Sequence, residues 1–240
     1  PLVLAGDDDR PLSDADETGL AARWTGARWQ VGLILKDETD PDGALPDLLT
    51  VTAAPRAELP LGENGTLLAE LALQFQSLEA GDHWAAAGQV FHLYTFDSRV
   101  KTEVGGFFYS APGDNAPGFR TPWGRWPRWS ELYIYSLIGE STPGRVHVAA
   151  WENIAGLRVK LAAPLHESID GSLELMPLWA PEPDWQARGL LWKAGLKFRL
   201  PQDVTGHLVY EGLSYGDYHT IPDGVGETAH FIRWQLTYTY

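Results

Sequence analysis

The chain has 240 residues, room for one domain of ordinary size, and no cysteine, which removes a disulfide framework and any thiolate zinc site. Its 18 basic and 32 acidic residues leave a formal charge of −14, an excess that argues against nucleic acid as a partner. Hydrophobic residues make up 44% of the chain, yet no apolar run approaches the ~20 residues a membrane-spanning helix needs.

Taken along the chain, period-two alternation dominates and helical periodicity is hard to find. Trp29, Val31, Leu33 and Leu35 oppose Arg28, Gln30 and Lys36. Leu67, Ala69, Leu71, Leu73 and Phe75 oppose Glu70, Gln74 and Gln76. Ala155, Leu157, Val159, Leu161 and Ala163 share one face, Gly156, Arg158 and Lys160 the other. Leu190, Trp192, Ala194, Leu196, Phe198 and Leu200 alternate with Lys193, Gly195, Lys197 and Arg199. The chain closes with Ile232, Trp234, Leu236, Tyr238 and Tyr240 set between Arg233, Gln235, Thr237 and Thr239. This pattern predicts about twelve strands, near 1–6, 17–24, 27–37, 47–59, 65–77, 83–95, 99–111, 145–163, 169–180, 189–199, 204–217 and 229–240.

Connections alternate in length. Short ones fall at Thr25-Gly26, Pro60 to Asn64, Asp97-Ser98, Pro164 to Ser168 and Pro201 to Asp203, and longer ones at 38–46, 112–144, 181–188 and 218–228. Turns at one end and loops at the other is the layout of a transmembrane, antiparallel, up-and-down β-barrel. An even strand count puts both termini on the short-turn side. With no linker-like segment, residues 1–240 read as one domain. The opening at Pro1, without a signal peptide, suits a mature secreted chain or a piece of a longer one.

Alternation alone does not say which face points inward: a soluble barrel or sandwich hides its apolar face, and a membrane barrel exposes it to lipid. Three features favour lipid. Most strands run to about 11 residues, enough to cross an apolar slab at a tilt, against a soluble mean of about five or six. Aromatics gather near strand ends at Trp24, Trp29, Trp84, Trp179, Trp192, Tyr238 and Tyr240, as at a lipid–water boundary. The final alternating strand ends on an aromatic, an ending that resembles the signal read by the machinery that assembles outer-membrane barrels. The bland competitor is a large soluble β-sandwich whose polar face is ordinary surface.

Sorting charges by face isolates the candidate functional residues. Arg23, Arg28, Lys36, Arg56, Arg99, Lys101, Arg158, Lys160, Lys193, Lys197, Arg199 and Arg233 fall on the polar face, with fewer acids beside them: Glu58, Glu70, Glu103, Glu174 and Glu211. Inside a barrel these cations make the lumen locally positive, and low-dielectric walls focus such a field on anions. Arginine also offers a planar fork that matches a carboxylate. An acidic oligosaccharide or uronic acid polymer is the expected solute. The competing view is that lumen cations merely pair with acids across the wall. The long segment 112–144 carries Arg120, Trp123, Arg125, Trp126, Arg128 and Trp129. It either folds into the pore as a constriction or packs on itself as an external cap.

The runs "RWPRWSELYIYSL", "GRVHVAAWENIAGLRVKLAAPL" and "AHFIRWQLTYTY" resemble the C-terminal part of the alginate-export family of outer-membrane barrels, across roughly residues 80–240. The resemblance implies a bacterial outer-membrane location and a passive conduit with an electropositive lumen for a polyuronate. That role would fall on Arg99, Lys101, Arg158, Lys160, Lys193, Lys197, Arg199 and Arg233. Family members are longer, so this chain either lacks an N-terminal part or is a smaller relative with a narrower pore.

A catalytic barrel needs a nucleophile or metal beside a histidine base. None of His83, His92, His147, His166, His207, His219 and His230 stands in such a local signature, and Asp7-Asp8-Asp9 reads as a solvated charge run. No phosphate loop, zinc motif or dinucleotide fingerprint appears, so no cofactor, no metal and no enzymatic activity are expected. The expected partners are outer-membrane lipid, an anionic small molecule or saccharide, the barrel-assembly machinery at the C-terminal strand, and other envelope subunits. The rival functions are a structural or partner-docking barrel with a plugged lumen, and a barrel lipid hydrolase.

Overall fold

The alternating segments fold as eleven β-strands: β1 (Asp16–Thr25), β2 (Trp29–Thr39), β3 (Leu48–Leu61), β4 (Gly65–Leu78), β5 (Gly81–Thr95), β6 (Lys101–Tyr109), β7 (Ile154–His166), β8 (Ile169–Ala180), β9 (Gln186–Leu200), β10 (Val204–Tyr215) and β11 (Thr228–Tyr238). The structure, a computed structural model, describes residues 16–39, 47–113, 117–119, 130, 153–201, 204–219 and 227–238. The expected first strand at 1–6 and the start of the strand expected over 145–163 lie outside them. The strands form one sheet in the order β1 to β11. Each is antiparallel to its sequence neighbour. Among the described residues β1 and β11 do not pair, and the sheet is not closed.

Turns at 26–28, 62–64, 96–100, 167–168 and 201–203 lie at one end, the turn end. The connections at 40–47, 79–80, 110–153, 181–185 and 216–227 lie at the other, the loop end. The tight connection at 79–80 breaks the expected contrast of short and long. With eleven strands rather than twelve, β1 starts at the loop end while β11 finishes at the turn end.

The register adds a stagger that alternation alone could not supply. One hydrogen-bonded row runs Thr25, Gln30, Arg56, Glu70, Gln89, Phe107, Gly156, Leu178, Gly189. It leaves β1 at the turn end and reaches β9 at the loop end. The strands therefore shift steadily in one direction, the shear that a tilted barrel wall requires. At Gly189 φ is +130° and a Cβ would meet Ser214 O at 2.0 Å. Only glycine fits there, beside the register shift between Leu178 and Trp179.

Burial differs from that of a soluble sheet: apolar side chains are exposed on the outer face, and the inner face buries polar groups as well as apolar ones. The outward residues are apolar and exposed: Leu157, Val159 and Leu161 on β7, Leu173 and Leu175 on β8, Ile232 (66%), Trp234 (71%) and Leu236 on β11. Inward positions hold Lys36, Thr50, Thr52, Gln74, Gln76, Glu174 and Glu211, all buried. A soluble sandwich would do the reverse. Among the described residues no helix is long and apolar enough to cross a membrane. Aromatics mark both margins of the apolar face, with Trp24, Trp29 and Tyr238 at the turn end and Trp84 and Trp185 at the loop end. Trp192 lies further in, edge-on to His230, which stacks on Tyr210.

Candidate functional site

The inward face of the sheet brings the sequence-predicted cations together. By register, Arg23, Lys36, Arg56, Lys101, Arg158, Lys160, Lys193, Lys197, Arg199 and Arg233 share it. Arg28 and Arg99 do not: they sit in the turns between β1 and β2 and between β5 and β6, and Arg99 has φ +64°. A turn residue has no alternating partner, so face assignment fails there. Arg120, Trp123, Arg125, Trp126, Arg128 and Trp129 lie outside the described residues.

At mid-height the wall is a network of paired charges. Arg158 grips Glu174 with two bonds, Nε to Oε1 at 2.9 Å and Nη2 to Oε2 at 3.0 Å, and reaches Glu103 with Nη1 at 2.7 Å. Lys160 lies 3.9 Å from Glu174, and Lys193 lies 2.9 Å from Glu211. The parallel two-bond geometry is the strong form of a charge-assisted pair. Elsewhere Lys36 pairs with Glu38, Arg56 with Glu58, and Arg199 with Asp170 at 3.2 Å. All five inward acids expected from the sequence are on this face, and four of them neutralise expected anion-binding cations. The uncompensated positive charge on the inner face is therefore confined to fewer residues than face sorting suggested. Lys101 and Lys197 are exposed on the inner face near the turn end, and neither pairs with an acid among the described residues. Arg233, bonded to Gln235 at 2.9 Å, faces the same space.

Toward the loop end the inner face is dry. Ile154, Met176, Leu178, Leu191 and Leu213 are all at most 1% exposed and pack with Phe91 and Phe107. This apolar shelf contradicts a uniformly polar lumen. Its physical reason is local: next to the Gly189 bulge, the adjacent pairs Leu178-Trp179 and Leu190-Leu191 place an apolar residue on each face. Such doubled apolar residues were the available sequence signal.

The segment between β6 and β7 touches this inner wall at both described points. Phe119 packs on Ala85 and Ala87 and lies 5.9 Å from the Tyr109 ring, while Gln76 Nε2 donates to Gly118 O at 2.9 Å. Ser130 Oγ donates to Glu211 Oε2 at 3.0 Å, with both residues at most 1% exposed. These contacts fall on β4, β5 and β10, so the segment is anchored on two well-separated stretches of the inner face. Its base is fixed by Asn153, whose side chain exchanges hydrogen bonds with the backbone of Glu182 at 2.6 and 2.9 Å.

On the outer face His230 bonds Tyr210 Oη at 2.8 Å and Thr228 Oγ1 at 3.2 Å, a setting without a carboxylate. At the loop end His219 is held down to about 4 by burial first and by the Arg188 guanidinium second. Arg188 itself stacks over Tyr218 at 4.4 Å. Among the described residues no cluster of His, Asp and Glu could hold a metal ion. The chain matches no known protein-family profile and no curated protein.

Proposed function

We propose that this chain forms the wall of an outer-membrane β-barrel whose bore passes anionic solutes. The observation that carries this reading is the burial pattern: an exposed apolar belt outside and buried, mutually bonded polar groups inside. The one-directional stagger and the aromatic margins agree with it. An anionic saccharide is the solute class implied by the resemblance to alginate-export barrels.

Closure follows from parity. With eleven antiparallel strands, β1 and β11 both run from the loop end to the turn end, so they cannot pair antiparallel with each other. In lipid their unpaired backbone groups would cost several kcal/mol each. A strand running from the turn end to the loop end fits between them. Two copies in the same membrane orientation would offer only parallel edges.

Within the bore, the Arg158–Glu174–Glu103 and Lys193–Glu211 pairs stiffen the wall, while Lys101 and Lys197 set the sign of the field. Single-channel recording in planar bilayers tests this reading. The Lys101→Glu/Lys197→Glu double variant is expected to move the reversal potential in a salt gradient toward cation preference, and unchanged selectivity refutes the assignment. A second reading, a partner-docking barrel with a plugged lumen, is favoured by the dry loop-end shelf and the anchored Phe119 and Ser130. Absence of conductance steps would select it.

A further inference from the structure

At the loop end β5 outruns its neighbour. The register with β6 stops at the pair Ala87 and Tyr109, so residues 81–86 have no β6 partner. The chain after Tyr109 reads Ser-Ala-Pro-Gly, and Pro112 has no N–H with which to extend a ladder. Ser110 closes the edge instead. Its backbone N–H donates to Ala86 O at 2.8 Å, and its Oγ accepts from Ala86 N at 3.1 Å. Asn153, bonded to the Glu182 backbone, ties the β8–β9 connection to the start of β7.

These pieces enclose a pocket of about 270 Å³. Trp84 and Phe108 supply aromatic walls, and Pro112, Pro117 and Pro181 a stiff rim. The polar lining is His83, Ser110 and Glu182. His83 Nε2 is buried and has no hydrogen-bond partner among the described residues. The same holds for Oε1 of its register partner Gln76, a fully buried residue. Buried polar atoms are normally bonded, so this corner keeps unused capacity for a polar occupant.

We propose that the pocket seats a single neutral sugar ring. Its 270 Å³ falls just short of the roughly 300 Å³ at which pockets for drug-sized ligands begin, which suits one ring and excludes an oligomer. A pyranose has an apolar C–H face and a rim of hydroxyls. The face meets Trp84, 74% exposed and propped edge-on by Phe75 at 5.3 Å, a large flat apolar surface. The hydroxyls suit the polar groups, because each both donates and accepts. A Glu182 carboxylate only accepts, Ser110 Oγ already accepts from Ala86 and has its proton to give, and His83 does either according to tautomer. No lysine or arginine lines the pocket. An anion would therefore find no counter-charge and would meet Glu182. The ligand class differs from the anionic solute proposed for the bore, and the site stands on the loop-end geometry whether or not the wall conducts.

The test uses the whole chain in micelles of a detergent without sugar headgroups. Methyl glucoside, methyl mannoside and methyl galactoside are each offered at millimolar concentration, and binding is read by saturation-transfer difference NMR. At least one is expected to give a signal that Gly113→Leu and Trp84→Leu each cut at least threefold. A Cβ at Gly113 meets only His83 Nδ1, at 4.0 Å, so leucine there fills the pocket without straining the backbone. Trp29→Leu, at an exposed tryptophan of the turn end, should keep the wild-type signal. The uronate matching the sugar that binds should bind at least threefold more weakly. No signal from any of the three, equal signals in all the proteins, or a uronate that binds as well as its neutral parent overturns the proposal. A second measurement needs no variant. The sugar should slow oxidation of Trp84 by N-bromosuccinimide at least threefold, mapped by peptide mass spectrometry, and leave Trp29 unaffected. No slowing, or equal slowing at both, overturns the proposal.

Discussion

The two ends of the inner wall are built from the same alternating strands but serve opposite ends of the polarity scale. At the loop end, Met176, Leu178, Leu191 and Leu213 are dry, and Thr52, Gln74 and Gln76 on β3 and β4 are buried and mutually bonded. At the turn end, Lys101, Lys197, Arg199 and Asp170 face open space. The Arg158–Glu174 network separates the two. The difference teaches that one sheet face can carry both a packed core and a charged vestibule. The strand period fixes only which side a residue faces, while its height on the wall fixes what it meets.

The comparison can be broken by removing its central support. The Glu103→Ala/Glu174→Ala double variant strands Arg158 at a site where only 17% of its side chain is exposed. The expected loss is about 3–5 kcal/mol, read as a lower temperature for loss of the fast-migrating unboiled form. An unchanged transition would mean that the network is solvated. Leu213→Ala, on the dry shelf, is expected to cost about 2–5 kcal/mol as an unfilled cavity. Leu236→Ala on the exposed outer face should cost clearly less in the same assay, and equal losses would erase the distinction between the faces.

The loop end should also respond to acid. His219 has an ordinary value near 6.5 and is held near 4 in the fold, so its contribution is present above about 6.5 and is lost as pH falls toward 4. Proteolysis of the 216–227 connection is expected to quicken across that window, and His219→Asn should flatten the dependence. The smallest effect belongs to the open end. Asp170→Asn, which breaks the exposed pair with Arg199, should change stability by no more than about 1 kcal/mol. A larger change would mean that the vestibule is as tightly packed as the shelf.

The sequence made the faces legible, because Leu157, Val159 and Leu161 alternate with Arg158 and Lys160 without interruption. It did not reveal the pairing of charges. Glu103 and Glu174 stand 55 and 16 residues from Arg158, and only the register brings them to one guanidinium. The number of strands was hard to read for a related reason: parity needs every strand, and the run at 1–6 lies outside the described residues. The dry shelf was obscured because Met176, Leu178, Leu191 and Leu213 continue the inward phase of Glu174, Lys193 and Glu211, and a period of two does not show where along a strand the inner face turns apolar. Arg28 and Arg99 were misplaced because turns have no period to extend.

Every pairing in the sheet joins strands adjacent in sequence. Each hairpin thus has its backbone pairing with its neighbours in sequence alone. The girth of such a wall grows roughly linearly with strand number. Gaining or losing one hairpin would change the breadth of the wall in a single step. Local pairing of this kind also keeps loop-closure costs low during assembly, so a wall of this design lengthens its perimeter without slowing its own construction.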